Sequence, residues 1–283
     1  FDVTRNTVRV GNRTVVVNVV PIGVDYDRIQ KITTNRANAD EMARLRLELS
    51  LDTPVIGIGV DRLDYTKGVL ERLDAVALLL ERRPDLRDRL TFVQVGVPSR
   101  SKIKSYVDVV AAIDCKVAEI NKRFGREGRE PVRYRKSSLR IKRLVALYCL
   151  ADFCIVSSLH DGMNLVAKEF VAAREDLNGV LVLSELAGAA QELHDALIIN
   201  PYDIEGFTDA LEQALDMPLD ERQHRMHSLR RIVAGRDVFS WASDILEELE
   251  SLDPRAIPEP PGLSLSSRLR LAAASRATET KLS

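Results

Sequence analysis

Residues 153–169 read Phe-Cys-Ile-Val-Ser-Ser-Leu-His-Asp-Gly-Met-Asn-Leu-Val-Ala-Lys-Glu, which predicts a strand, a tight turn and the start of a helix. The first five residues form a short, mostly apolar run, as in strands that are covered on both faces. Asp161 and Gly162 are turn formers, and residues 164–174 predict a helix. A strand that leads into a helix in this way is the βα unit of a parallel sheet.

The same alternation continues along most of the chain. Further strands are predicted at residues 55–60, 90–97, 132–134, 179–184 and 196–200. Helices are predicted at residues 39–49, 67–83, 101–124, 141–149, 187–193, 204–216, 219–234 and 238–252. Repeated βα units fold as a parallel sheet with helices on both faces. We therefore predict an α/β fold with a Rossmann-like, doubly wound parallel sheet of five or six strands.

Three regions are distinguished by their residue patterns. Residues 1–20 contain two β-rich runs around a Gly-Asn-Arg turn and predict a hairpin, and residues 21–252 carry the βα units. Residues 253–283 begin with a proline cluster and are then rich in Ser, Arg, Ala and Thr, which predicts a flexible tail. Because the sequence opens on Phe1 rather than Met, we expect a fragment or a processed product.

Composition argues against several classes of partner. The chain has 41 Lys and Arg against 42 Asp and Glu, and the two signs are interleaved, so neither a nucleic-acid partner nor a membrane partner is indicated. The three cysteines have no metal-ligand spacing, so we expect a reduced, cytoplasmic protein without structural zinc. No apolar run approaches the roughly 20 residues of a membrane span, and the N-terminus lacks the pattern of a signal peptide.

Cationic residues follow the first predicted strand of the sheet. Ligands of open α/β sheets gather at the carboxyl ends of the strands, and Arg62 and Lys67 lie between such a strand end and a helix start. Two cations at this place suit a diphosphate. The alternative is that they only form ion pairs with Asp61 and Asp64.

The turn after the strand at residue 153 carries the second set of candidates. Gly162 allows a ligand to approach the backbone closely, and Glu169 can accept hydrogen bonds from both hydroxyls of a ribose. The alternative is that Asp161 only caps the helix and that Glu169 is an exposed helix acid. The N–H groups expected to point outward from the helix start belong to Met163, Asn164 and Leu165.

Three weaker candidates remain. Arg100 follows the predicted strand 90–97 and is either a ligand contact or part of an ordinary helix entry. His160 is either structural or in contact with a sugar. The glycines of Gly57-Ile58-Gly59 lie inside a strand and lack the rest of a dinucleotide-binding fingerprint.

Taken together, residues 61–68 (Asp-Arg-Leu-Asp-Tyr-Thr-Lys-Gly) and 161–169 (Asp-Gly-Met-Asn-Leu-Val-Ala-Lys-Glu) resemble the trehalose-6-phosphate synthase family. Supporting segments in the family's order are residues 97–100, 119–125, 183–190 and 198–203. The resemblance implies a retaining GT-B glycosyltransferase with two facing Rossmann-like domains. The chain would supply the C-terminal, donor-binding domain, with residues 1–20 as a hairpin remaining from the N-terminal domain.

The resemblance also implies roles for single residues. Arg62 and Lys67 would contact the donor diphosphate and stabilise its charge during transfer, and Asp161 would contact the glucose hydroxyls. Glu169 would bind the ribose and Leu139 would lie near the uracil. Backbone groups of Gly162, Met163, Asn164 and Leu165 would hold phosphate and sugar, and Arg100 would reach the acceptor phosphate. The chain departs from the family pattern at His160, where Arg is usual, and at Leu139, where an aromatic residue is frequent.

The implied reaction moves glucose from UDP-glucose, or a related nucleotide donor, to glucose 6-phosphate, with no metal and no cofactor. Alternatives are another acceptor, such as glycerol 3-phosphate or a cyclitol, and a non-catalytic nucleotide-sugar-binding or regulatory subunit. Retaining transfer needs acceptor groups that face the donor. We therefore expect the chain by itself to be catalytically silent, and to act with an N-terminal domain or as a homo-oligomer.

Overall fold

A computed structural model describes residues 6–11, 13–98, 104–126 and 128–251. In this part of the chain, a parallel sheet of six strands forms the centre of the fold, and an antiparallel hairpin pairs β1 with β2. The strands are β1 (Thr7–Val10), β2 (Arg13–Val16), β3 (Val55–Leu63), β4 (Leu90–Pro98), β5 (Val132–Arg135), β6 (Phe153–Val156), β7 (Val180–Ser184) and β8 (Leu197–Ile199).

Helices lie between and after the strands, and several of them cover the two faces of the sheet. They are α1 (Tyr26–Thr33), α2 (Arg36–Glu48), α3 (Val69–Arg82), α4 (Lys104–Phe124), α5 (Ile141–Leu150), α6 (Leu165–Ala173), α7 (Ile204–Asp216), α8 (Leu219–Gly235) and α9 (Val238–Ser251). Helices α3, α4 and α7 contribute to one buried apolar cluster, and α1, α2, α5, α6 and α8 to the other. The predicted α/β fold with a doubly wound parallel sheet is confirmed.

The order of the strands decides where a ligand site can form. The sheet has the order β5-β4-β3-β6-β7-β8, and every pair in it is parallel. After β3 the chain adds β4 and β5 on one side, and α5 then leads back to β6 on the other side of β3. Such a reversal opens a crevice at the carboxyl ends of the two central strands. The segments that follow these strands are the two that carry the main candidate residues.

The glycines of β3 make room for side chains on one face of the sheet. A Cβ atom on Gly57 would lie 2.2 Å from the ring of Phe153, a fully buried residue of the neighbouring β6. Phe153 in turn stacks on Phe92 of β4, with 6.5 Å between the ring centroids. Gly57 is therefore explained by packing between strands rather than by a nucleotide.

Several element boundaries differ from the prediction. Strand β3 continues to Leu63, because Asp61 is buried rather than exposed in a loop. The helix expected from residue 67 begins at Val69, after a 3-10 turn at Tyr65–Lys67. The helix expected at residues 187–193 is a 3-10 turn at Gly188–Gln191. Helix α1 was not predicted, and Ile29 is the residue that it buries.

Three further predictions meet the structure only in part. The described portion of the N-terminal hairpin pairs Thr7 with Val16, and its second strand is shorter than expected. The predicted tail lies outside the described residues. The described residues up to Trp241 form one compact unit, and those from Ala242, which continue α9, form a second.

No helix in the part of the chain that the structure describes could span a bilayer.

Candidate active site

The segment of residues 61–68 is held in one conformation by its own side chains. Asp64 accepts hydrogen bonds from the backbone N–H of Thr66 at 3.0 Å and from its hydroxyl at 3.1 Å. The hydroxyl of Tyr106, on α4, donates to the second carboxylate oxygen of Asp64 at 3.3 Å. Burial acts to raise the pKa of Asp64, but the bonds from Thr66 and Tyr106 outweigh it and the pKa is lowered. Asp64 therefore stays ionised and shapes the turn that presents Lys67.

The two strand-end segments are in direct backbone contact. Gly68 has a φ of +60°, and a Cβ atom there would lie 2.0 Å from the carbonyl oxygen of Ser157. The backbone N–H of Leu159 donates to the carbonyl of Thr66 at 2.7 Å, and that of His160 donates to the same oxygen at 3.3 Å. Only glycine combines this backbone conformation with such a close approach. The His160 backbone thus has a structural contact, while its exposed side chain has no assigned role.

Lys67 and Asp161 are brought together across the crevice. The Lys67 ammonium lies 2.6 Å from Oδ2 of Asp161, and the two side chains are only 13% and 16% exposed. Asp161 Oδ2 also accepts from Asn164 Nδ2 at 3.1 Å and from the Ser158 hydroxyl at 3.3 Å. Burial acts to raise the pKa of Asp161, but the bond and charge of Lys67 outweigh it, so the pKa is lowered. Asp161 is therefore an ionised acceptor at neutral pH.

The alternative, in which Arg62 and Lys67 form ion pairs with Asp61 and Asp64, is wrong. Asp61 pairs with Arg72, at 2.5 Å between the carboxylate and the guanidinium, and its side chain is 2% exposed. Lys67 pairs with Asp161 rather than with Asp64. Arg62 is exposed and makes no ion pair with any residue that the structure describes. Arg62 is therefore an uncompensated cation beside a compensated one.

The start of α6 faces the same crevice. Its N-cap is Asn164, not Asp161, and the Asn164 side chain accepts from the backbone N–H of Ala167 at 3.3 Å. Asn164 has φ 77° and ψ 91°, which is a rare conformation for a residue with a side chain. The N–H groups of Leu165 and Val166 have no acceptor among the described residues. They are the orphan donors with which helix N-termini bind anions.

One backbone position at this helix start differs from the expectation. Met163 was expected to point its N–H outward, but it donates to Oδ1 of Asp161 at 3.5 Å. Gly162 is open, since a Cβ atom added there would meet no described atom within 4 Å. Within the described residues, the N–H of Leu165 is therefore free as expected, that of Met163 is not, and that of Val166 is an additional free donor; Gly162 leaves space beside them.

Glu169 is not the exposed acid of the alternative interpretation. Its side chain is partly buried and accepts from the hydroxyl of Tyr148, on α5, at 2.9 Å. Burial raises the pKa of Glu169, and the bond from Tyr148 only partly opposes this. Glu169 lies five residues beyond the N-cap, about 7 Å along the helix axis at 1.5 Å per residue. Tyr148, which sequence reasoning missed, orients this carboxylate.

The remaining candidates are placed less directly. Leu139 lies in the loop between β5 and α5 and packs, partly buried, against the apolar core. Arg100 lies outside the described residues, so its role stays a prediction. Among the residues that the structure describes, no group of three or more His, Cys, Asp or Glu side chains could hold a metal ion.

Comparison with known proteins assigns the family. The sequence model of glycosyltransferase family 20 matches residues 1–251. The chain belongs to glycosyltransferase family 20. Membership confirms the resemblance that residues 61–68 and 161–169 carry. The matched range includes both of these segments of the crevice.

Among relatives in family 20, the trehalose-6-phosphate synthase of Mycobacterium sp. (strain KMS) is 44% identical over 254 residues, which is 89% of this chain and 51% of the relative. The bifunctional trehalose-6-phosphate synthase/phosphatase of Thermoproteus tenax is 42% identical over 251 residues, or 89% of this chain and 34% of the relative. The chain thus spans about half the length of the first and a third of the second.

Solved structures give the same result. An α,α-trehalose-phosphate synthase (UDP-forming) from Burkholderia xenovorans, in complex with glucose-6-phosphate, has a TM-score of 0.82 and 36% identity over 87% of this chain and 54% of its own. The E. coli structure bound with UDP-2-fluoro glucose has a TM-score of 0.80 and 32% identity, over 89% of this chain and 57% of its own. The fold is therefore that of one half of a GT-B glycosyltransferase.

Proposed function

We propose that this chain is the donor-binding half of a retaining glycosyltransferase that moves glucose from UDP-glucose to glucose 6-phosphate and forms trehalose 6-phosphate. The observation that carries the proposal is the 2.6 Å contact between Lys67 and Asp161 at the switch point of the sheet. This contact joins the segments that follow β3 and β6. The same two segments carry Arg62, which has no ion-pair partner among the described residues, and the free N–H groups at the start of α6. Cations and free N–H groups at such a crevice suit the diphosphate of a nucleotide sugar.

Similar proteins of known structure support the proposed substrates. The Burkholderia xenovorans synthase is UDP-forming and was solved with glucose-6-phosphate, and the E. coli structure contains UDP-2-fluoro glucose. In the same proposal residues 21–252 form the donor domain, residues 1–20 belong to the neighbouring domain, and residues 253–283 are a tail. Acceptor groups would come mainly from that neighbouring domain, with Arg100 reaching the acceptor phosphate.

Each described residue has a role that its surroundings allow. Arg62 and Lys67 bind the diphosphate, and they stabilise the negative charge that grows on it as the bond to the glucose C1 atom breaks. Asp161 accepts from glucose hydroxyls and Glu169 from the ribose hydroxyls. The acceptor hydroxyl oxygen forms the new bond to C1 on the same face. Its proton passes to the departing diphosphate, so UDP leaves as the second product.

The test is calorimetric titration of UDP and uridine into the chain and into two arginine variants. Arg62→Ala should weaken UDP by about tenfold or more, the loss of one hydrogen bond to a charged group, and leave uridine unchanged. Arg89→Ala is the matched control, because Arg89 is also exposed but precedes β4, at the opposite edge of the sheet. If the unmodified chain binds UDP no more tightly than uridine, the diphosphate site is refuted.

A further inference from the structure

A fully buried arginine lies beneath the crevice. Arg72 belongs to the first turn of α3 and is 0% exposed, so it cannot touch a ligand. Its guanidinium donates to Asp61 at 2.5 Å and to Gln94 at 3.0 Å through Nη1, and to the Ser157 hydroxyl at 3.0 Å through Nε. These partners belong to β3, to β4 and to the residue directly after β6. One side chain therefore joins the three adjacent strands around the switch point.

Gly59 provides the space for this guanidinium. A Cβ atom on Gly59 would lie 2.2 Å from Nη1 of Arg72 and 2.8 Å from Oε1 of Gln94. No side chain larger than hydrogen fits there while Arg72 keeps its position. The second glycine of the Gly57-Ile58-Gly59 stretch, which no nucleotide motif explained, is thus required by the arginine.

The contacts of Arg72 lead directly to the cations of the site. Asp61 immediately precedes Arg62 in the chain. The Ser157 hydroxyl, held by Arg72, donates to the carbonyl of Gly68 at 2.7 Å, and Gly68 immediately follows Lys67. Arg72 thus fixes the backbone on both sides of the 62–67 stretch, and it fixes the start of the segment that carries Asp161.

Stability alone is a weak reason for this arrangement. Buried ion pairs lose about as much free energy by desolvation as they gain by attraction, and apolar replacements of similar volume are often neutral or stabilising. Nη2 of Arg72 is also buried and has no acceptor in the described part of the chain, which is a further cost. The group is better explained by the geometry that it imposes.

We infer that Arg72 is a positioning residue that sets the spacing of Arg62, Lys67 and Asp161 for a diphosphate, and that Gly59 is needed because it makes room for Arg72. The inference rests on the proposed function of the same crevice. It predicts that losing Arg72 weakens the recognition of phosphates more than that of the nucleoside.

The experiment compares the UDP and uridine affinities of the chain, together with its melting temperature, in Arg72→Met, Arg72→Lys and a control. Arg72→Met should weaken UDP by about tenfold, the size of one lost hydrogen bond to a charged group, and uridine by less than about twofold. Arg72→Lys keeps one donor for Asp61, so it should remain folded and show a smaller loss of the same kind. The control is Arg174→Met.

Arg174 is a matched control because it is also a buried arginine, 3% exposed, whose guanidinium binds the carbonyls of Tyr148, Cys149 and Ala151. These carbonyls precede β6, at the edge of the sheet opposite to the crevice. Arg174→Met should lower the melting temperature and leave the ratio of UDP to uridine affinity unchanged.

Gly59→Ala provides an independent test, since it displaces the guanidinium without removing it. It should weaken UDP in the unmodified chain and add less in the Arg72→Met background, where the contact with the guanidinium is gone and only the end of the Gln94 side chain, at 2.8 Å, still has to shift. If the arginine variants melt at lower temperature but keep the UDP to uridine ratio, as Arg174→Met does, Arg72 is only structural. Failure of the unmodified chain to prefer UDP over uridine would instead refute the proposed function.

Discussion

Replacing Lys67 by Met tests whether the ion pair across the crevice contributes to folding. The substitution keeps most of the apolar stem and removes the ammonium, so the Asp161 carboxylate loses its counter-ion. Breaking a fully buried pair costs about 3–5 kcal/mol, and an exposed pair is worth about 0–1 kcal/mol. The Lys67–Asp161 pair is mostly buried, with side chains 13% and 16% exposed, but Asp161 keeps donors from Asn164 and Ser158. We therefore expect a loss of about 2 kcal/mol, or roughly 4–8 °C in melting temperature for a domain of this size.

The effect should depend on pH in one direction. The pKa of Asp161 is lowered in the folded chain from its ordinary value of 3.8. A lowered carboxyl pKa contributes stability that is present above the unfolded value and is lost as the pH falls through the folded value. The difference between the unmodified chain and Lys67→Met should thus be full at neutral pH and shrink below 3.8, once Asp161 takes up a proton in both.

Thermal melts of two further variants complete the test. Lys116→Met removes a more exposed pair, in which Lys116 and Asp74 are 28% and 44% exposed, and should cost less than about 1 kcal/mol. Adding Asp161→Asn to Lys67→Met removes the unpaired carboxylate and should restore part of the lost stability. If Lys67→Met melts like the unmodified chain at neutral pH, the pair contributes nothing and the reasoning is wrong.

Three other predictions follow from the site and the sequence. Burial raises the pKa of Glu169 above its ordinary value of 4.5. Because the proposed ribose contact needs the carboxylate, uridine binding measured by titration calorimetry should weaken as the pH falls from neutral toward 4.5. Glu169→Gln should bind uridine weakly at every pH in this range. Gly188→Ala places a Cβ atom 2.0 Å from the carbonyl of Gly162 and should lower the melting temperature by several degrees, whereas Gly162→Ala meets no described atom within 4 Å and should melt normally. Deleting residues 254–283, which begin with a proline cluster, should leave the melting temperature nearly unchanged, and a clear loss would contradict the tail assignment.

The sheet was predictable because its strands are short apolar runs that alternate with helical patterns. Parallel strands bring their carboxyl ends to one edge, so the convergence of Lys67 and Asp161 was also within reach. Helix α1 was missed because it is only eight residues long, although Tyr26, Ile29 and Ile32 recur at helical spacing and pack against the core. The end of β3 was misplaced because Asp61 is a polar residue that Arg72 allows to be buried inside a strand.

The partners of the site residues could not be obtained from the sequence. Lys67 and Asp161 are 94 residues apart, and local spacing offered Asp64 as a nearer carboxylate. Glu169 finds its partner Tyr148 on a different helix, 21 residues earlier. Pairings of this kind depend on how helices and strand ends are juxtaposed in space, which residue patterns along the chain do not specify.

The compensation of Lys67 by Asp161 has a consequence for selectivity among anions. With Lys67 neutralised, Arg62 is the uncompensated cation among the described residues of the crevice, so inorganic phosphate or chloride meets a weak field there. An anion that recruits Lys67 has to compete with a carboxylate already at 2.6 Å. A nucleotide sugar offers both a diphosphate for the ammonium and hydroxyl donors for Asp161, so both partners of the broken pair are satisfied again. Under the proposed function, the pair therefore favours a ligand that carries phosphate and sugar together over small inorganic anions.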